Sequence, residues 1–201
     1  FTLREGMGGW QRELDDERRI GFDTLWLANL GQALDAEEDP LTPLLDLCSE
    51  RGMQVILDTG ATHPWYARRD VAAEVAAVGK NIDRIRTRYG DHPAFHAWYI
   101  PHEIYVAWDD FGQYIDGLFP GLVARCKEAL PDKPVTLSPF FILDQDKVFG
   151  DFRYATPEEY GYYWTRLIAR AGFDIIMLQD SGEHCSYVTN AQRRPFFEAM
   201  R

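Results

Sequence analysis

The sequence predicts an α/β protein of the (β/α)8 TIM-barrel type, incomplete in this chain, with about six of eight strands present. Three observations predict it. Five short apolar runs alternate with helical patterns. Glycine stands at three of the entries into a strand. The strand starts recur at intervals of 31, 41, 40 and 39 residues.

The strand candidates are Phe22–Leu30, Met53–Asp58, Ala94–Ile100, Pro134–Phe140 and Phe173–Asp180. They are mostly β-branched or aromatic and do not alternate strictly, which suits a sheet covered on both faces. Phe1-Thr2-Leu3 reads as the remnant of an earlier strand. Between the strands, Val71, Val75, Val78, Ile82, Ile85 and Tyr89 recur at steps of 4 and 3, which makes one helical stripe. Lys80, Arg84, Arg86 and Arg88 fall mostly off that stripe, on a solvated face. Thr156-Pro157-Glu158-Glu159 carries a capping box with proline at the first helical position. Phe111–Leu130 reads as a helix with a kink or break at Gly117 and Pro120. Gly21, Gly52 and Gly172 each fit a helix C-terminus with immediate strand entry. Helix and strand thus alternate, and the sheet is parallel.

An open nucleotide-binding sheet is the alternative. It needs a glycine-rich phosphate loop after its first strand. Asn29-Leu30-Gly31-Gln32 is not such a loop, and no GxGxxG or GxxxxGK[ST] occurs. A barrel takes about 250 residues. Residues 1–201 therefore read as one barrel domain short of its C-terminal units, its N-terminal end a second candidate for truncation.

Composition narrows the partners. The chain is 46% hydrophobic, 26% charged and 14% aromatic, a globular balance. A formal net charge of −11 repels phosphate backbones and anionic surfaces, so neither nucleic acid nor membrane is an expected partner. No apolar run reaches the ~18 residues of a membrane span. Cys48, Cys126 and Cys185 are odd in number and lack CxxC spacing, which points to neither a disulfide framework nor a zinc knuckle. Two of them sit in helical patterns as small buried thiols. Compartment and oligomeric state are not legible, and no cofactor or metal is called for.

Active sites of parallel α/β folds lie at the carboxyl ends of the strands. Those ends carry Asp58, His63, Trp65 and Tyr66; then Trp98, His102, Glu103 and Tyr105; then Ser138; then Gln179, Asp180, Glu183 and His184. Acids flanked by aromatic rings suit sugar chemistry, because glycoside cleavage needs two carboxyls. Glu103 is the acid/base candidate, with Trp98, Tyr99 and Ile100 placed to desolvate it. Asp180 is the second carboxylate, with Glu183 behind it. The other named residues are candidates for substrate binding. Plainer readings stand beside these. Asp58 suits a positioning or structural group, and Trp65, Tyr66, Tyr105 and Trp108 suit loop packing. Trp26 and Trp164 suit the core.

The run Trp98-Tyr99-Ile100-Pro101-His102-Glu103 resembles a bacterial domain-of-unknown-function family of glycoside-hydrolase-type barrels with a WYIPxE motif. Gly52–Leu57, Leu137–Phe141 (LSPFF) and Leu178–Gly182 (LQDSG) agree with it in order and spacing, over nearly the whole chain. The resemblance implies a (β/α)8 barrel acting on glycans. Counting the remnant, Glu103 follows strand four, where the large retaining-glycosidase clan keeps its acid/base glutamate. That clan's nucleophile follows strand seven, which would lie beyond Arg201. His102 stands where that clan has asparagine, so a Glu103/Asp180 pair stays open.

Two other functions compete. His63, His102 and His184 beside Asp58, Glu103 and Asp180 could serve a metal-dependent hydrolase or isomerase. A glycan-binding barrel without chemistry would keep the same aromatic rim.

Overall fold

The computed structural model describes residues 6–143, 147, 153–179 and 188–201. Helix α1 (Gly6–Arg19) leads into β1 (Thr24–Leu27), then α2 (Gly31–Asp35), α3 (Thr42–Glu50) and β2 (Gln54–Asp58). There follow α4 (Trp65–Arg68), α5 (Val71–Tyr89), β3 (Phe95–Ile100), α6 (Asp110–Ala129) and β4 (Val135–Leu137). The last elements are α7 (Pro157–Ala171), β5 (Ile175–Ile176) and α8 (Asn190–Ala199).

All pairings among these strands are parallel, and the order is β1-β2-β3-β4-β5. A doubly wound sheet reverses at a switch point. Here each described strand lies beside its successor, as in the wall of a barrel. The fold is α/β of the TIM-barrel type, seen as an arc of five described strands. The candidate remnant at Phe1–Leu3 lies outside the described residues.

Strand alternation gives the arc two unlike faces. Leu25, Leu27, Val55, Leu57, Trp98, Ile100, Val135 and Leu137 face outward into one large core with the helices. Ile56, Ala97 and Tyr99 form a small separate cluster on the inner face, with Met177 against it. Register puts Trp26 beside Ile56 and Ile56 beside Ala97, so Trp26 shares the inner row. This corrects the expectation that Trp26 is core. It is 43% exposed and meets Tyr99 edge-on at 4.4 Å. Trp164 is in the core, as expected.

Strand entry follows the glycines. Gly21, Gly52 and Gly172 have φ of 103°, 62° and 82°, a left-handed turn that other residues adopt at a cost. The strands come out shorter than their apolar runs. Phe22 is exposed ahead of β1, and Asn29 turns left-handed beyond it, with φ 59°. After Ile176, the Met177 amide donates to the Leu137 carbonyl at 2.8 Å, and Gln179 rejoins the sheet through a bridge to Phe140.

Helix α5 spans the expected residues, with Asp70 capping the Ala73 amide at 3.0 Å. Its buried stripe includes Val78, Ile82 and Ile85, each contributing roughly 1.5–3 kcal/mol by burial. Its basic face is not simply solvated. Arg88 donates to the Leu34 carbonyl at 2.9 Å, and Arg84 pairs with Asp35 at 2.8 Å, so both hold the end of α2. Helix α7 carries the expected capping box on Thr156 and Glu159.

Helix α6 runs unbroken through Gly117 and Pro120, which corrects the expected break there. Proline removes one backbone donor, and packing outweighs that loss. The glycines serve close approach to α5. A Cβ at Gly117 would lie 3.4 Å from Val71 Cγ2, and one at Gly121 would lie 2.9 Å from Val75 Cγ2. Among the described residues no helix is long and apolar enough to cross a membrane.

Replacing Gly121 with valine should therefore destabilise the fold by about 1–3 kcal/mol through overpacking. Gly31→Ala, where a Cβ meets nothing within 4 Å, should be neutral or stabilising by up to about 1 kcal/mol. Urea unfolding midpoints of the two variants check both outcomes.

Candidate active site

Glu103 lies three residues past the end of β3, at the carboxyl rim of the arc. Its carboxylate is exposed, and its Oε1 accepts from Gln179 Nε2 at 3.2 Å. The same nitrogen donates to the Ser138 carbonyl at 2.9 Å. The Gln179 amide donates to the Pro139 carbonyl at 2.9 Å, which fixes the glutamine's main chain. Ser138 Oγ donates to the Met177 carbonyl at 2.6 Å. Three segments, after β3, β4 and β5, thus meet at one carboxylate.

Trp98 and Ile100 point to the helix side and are fully buried. They do not shield Glu103, contrary to expectation, because strand parity turns them away. Tyr99 has the opposite parity and faces the site. Burial, then the negative charges of Glu103 and Asp58, push its phenol well above the ordinary tyrosine range. Tyr99 therefore feels both acids.

Asp58 closes β2 and is 3% exposed. Its Oδ2 accepts the Asn29 amide at 2.7 Å, and its Oδ1 accepts the Gly60 amide. Burial raises its carboxyl above the ordinary range, against the lowering effect of those amides and of nearby His102. Both oxygens are committed to loop backbone. The positioning reading of Asp58 fits this geometry better than direct contact with substrate.

His102 corrects another expectation. Its ring is 0% exposed and has no surface to offer a substrate. Nε2 lies 2.9 Å from Glu74 Oε1. Trp65 meets the ring edge-on at 4.8 Å, and Phe119 lies behind it at 6.4 Å. Trp98, also named for substrate binding, is fully buried in contact with Phe95 at 4.9 Å and is likewise closed to a ligand.

Glu74 was not among the expected residues. It is 4% exposed and accepts from the Thr62 amide at 2.9 Å, from the Thr62 hydroxyl and from His102. Burial alone would raise its carboxyl, but the hydrogen bonds from His102 and Thr62 outweigh burial and hold it below the ordinary range. A signal was present. Glu74 stands four residues before Val78, in line with the buried stripe of α5. A carboxylate on that line must find donors.

The remaining rim residues stay accessible. His63 is exposed and lies 6.1 Å from Tyr66, which is also exposed. Trp65 is half-buried between Tyr66 and Phe111. Tyr105 is half-buried against Phe140 at 5.6 Å. Trp108 is exposed, with the Arg153 guanidinium over its ring at 4.6 Å. Asp180, Glu183 and His184 lie outside the described residues, as does Cys185. Among the described residues Cys48 and Cys126 are free and buried, and no three His, Cys, Asp or Glu side chains gather to hold a metal.

The family model described as "Domain of unknown function (DUF4434)" matches residues 6–201. No curated protein matches the sequence. A solved structure named a "putative alpha-L-fucosidase", from Bacteroides thetaiotaomicron VPI-5482, superposes with a TM-score of 0.69 at 20% identity. The match covers 90% of this chain and 58% of that one, so the chain spans less than two thirds of its length. A beta-galactosidase from the psychrophilic Marinomonas ef1 matches with a TM-score of 0.55 at 12% identity, over 92% of this chain and 41% of that one. A glycoside hydrolase family 5 structure from Bacteroides vulgatus ATCC 8482 matches with a TM-score of 0.53 at 12% identity, over 88% and 46%. At these identities the likeness is one of fold.

The lowered carboxyl of Glu74 has a consequence for stability. Its contribution is present above the ordinary glutamate value of about 4.3 and is lost as pH falls through its lower folded value. Between roughly pH 5 and pH 3 the native chain should lose more unfolding free energy than Glu74→Gln. Urea titrations across that range test it, and parallel curves would show that the carboxylate is not coupled to folding.

Proposed function

We propose that this chain, which belongs to the family described as domain of unknown function (DUF4434), forms the acid/base side of a glycoside hydrolase site, with Glu103 as the general acid/base. One observation carries the reading. Glu103 is a solvent-facing carboxylate at the carboxyl rim of the arc, held from across the sheet by Gln179. The glycosidase names of the structural neighbours support the same class.

The chemistry follows from the carboxyl. Protonated Glu103 gives its proton to the glycosidic oxygen as the bond from that oxygen to the anomeric carbon breaks. The aglycone leaves as an alcohol. Water then completes the reaction, its oxygen joining the anomeric carbon and one proton returning to a carboxylate. The second carboxylate is Asp180, or a group beyond Arg201. Separations of about 5–5.5 Å suit retention, and about 6.5–9.5 Å suit inversion.

The rim supplies binding surface. Tyr66, Trp65 and Tyr105 offer aromatic area for the apolar face of a sugar. His63 offers hydrogen bonding beside them. The commitment of His102 to Glu74 weighs against the metal-dependent alternative.

The test is turnover of aryl glycosides by the full-length protein, using 4-nitrophenyl α-L-fucoside, β-D-galactoside and β-D-glucuronide. Glu103→Gln should lower kcat by about 10²–10⁴-fold on whichever is cleaved. Unchanged turnover in that variant would remove Glu103 from the chemistry. Binding of a glycoside by the native protein with no turnover would assign a glycan-binding barrel instead.

A further inference from the structure

We propose that the buried Glu74–His102 pair is a positioning device for Glu103; this rests on the glycosidase reading for its catalytic consequence but not for its geometry. The need for such a device is visible in the backbone. The β3 ladder ends at Ile100, and Pro101 to Ile104 have no regular secondary structure. Among the described residues the Glu103 amide donates only to the nearby Pro101 carbonyl, at 2.9 Å. The next tie to another strand is Phe140 donating to the Ile104 carbonyl, at 3.2 Å. Between Ile100 and Ile104 the His102 side chain is a buried, hydrogen-bonded anchor.

That anchor reaches through the sheet wall. His102 and Glu103 are adjacent, yet their side chains lie in opposite surroundings. Glu103 opens to solvent, while His102 enters the helix-side core. Fixing the His102 ring fixes the peptide that carries Glu103. Glu74 is the ring's one hydrogen-bond partner among the described residues, since Nδ1 has none. Glu74 is itself fixed on α5, which is capped by Asp70 and bolted to the core by its stripe.

The same carboxylate organises a second part of the rim. Its bonds to the Thr62 amide and hydroxyl hold the loop after β2, which presents His63, Trp65 and Tyr66. One buried acid thus sets two rim loops against one helix. Stability alone does not require it, because a well-packed apolar pair is often as stable as a buried polar one. A buried polar pair does fix geometry, since only one arrangement satisfies its donors. Gln179 completes the hold from the far side, gripping the carboxylate while the dyad grips the main chain.

The experiment uses Glu74→Ala and Glu74→Gln in the full chain. In a crystal structure of Glu74→Ala, the separation of Glu103 Oε1 and Gln179 Nε2 should exceed hydrogen-bond reach, from 3.2 Å in the native chain. On the aryl glycoside that the native protein cleaves, kcat should fall by about 10²-fold with KM nearly unchanged. Glu74→Gln keeps a carbonyl oxygen for His102 and should recover much of that loss. An intact Glu103–Gln179 contact in Glu74→Ala overturns the proposal. So does a lower urea midpoint with the native kcat retained, which marks a purely structural pair. Should Glu74→Ala not fold, His102→Gln carries the same two readouts. The glycosidase reading fails separately, if Glu103→Gln stays active or no glycoside is cleaved, and the crystal structure still decides the positioning claim.

Discussion

Residue parity along β2 and β3 governs everything else in this molecule. In Val55-Ile56-Leu57-Asp58 and Trp98-Tyr99-Ile100, alternate side chains go to opposite sides of one sheet. Val55, Leu57, Trp98 and Ile100 enter the helix-side core and hold the strands in place. Ile56, Asp58 and Tyr99 are thereby forced onto the inner face. A slip of one residue would turn Asp58 and Tyr99 into the helix-side core and Trp98 onto the inner face. That penalty locks the register, and the register sets where Glu103 emerges from the end of β3. The rim chemistry is a consequence of packing on the opposite side of the sheet.

Polar groups sit on both sides of the wall, in different roles. On the rim, Gln179, buried Ser138 and Glu103 form a hydrogen-bonded set that opens to solvent at Glu103. Behind the wall, Glu74, Thr62 and His102 form a set closed to it. The closed set holds backbone, and the open set presents a carboxylate. Asp58 lies between, buried like the second set but facing the first, and both its oxygens are taken by loop amides. Burying three such groups is costly unless every donor and acceptor is matched, so each constrains local geometry tightly.

Much of this was legible in the chain. The five strands, the stripe of α5, the capping box at Thr156 and the three left-handed glycines all follow from local chemistry. The strand candidates located the rim, and with it Glu103 and Gln179. What stayed hidden depended on direction. Apolar runs do not say which residues of a strand face inward, so Trp26 reads as core and Trp98 as binding surface. Gly117 and Pro120 read as a break because the partner that needs Gly117 and Gly121 small, Val71 and Val75 of α5, is far away in sequence. Glu74 is invisible as a site residue until His102 and Thr62 are brought to it.

Hydrogen-bond valence then narrows how the rim could meet a ligand. An amide nitrogen carries two hydrogens. Gln179 Nε2 directs one at Glu103 Oε1 and one at the Ser138 carbonyl, so its donors are spent. Its carbonyl oxygen has no partner among the described residues, and that oxygen can only accept. Ser138 Oγ has likewise spent its one hydrogen on the Met177 carbonyl. Glu103 holds Gln179 through Oε1, which leaves Oε2 as the oxygen available to carry a proton. Among the described residues the rim beside Glu103 thus offers acceptors, which suits the hydroxyl-bearing substrate proposed above. That reading comes from counting hydrogens on Gln179 and Ser138, and it supports the proposed substrate class independently of the carboxylate.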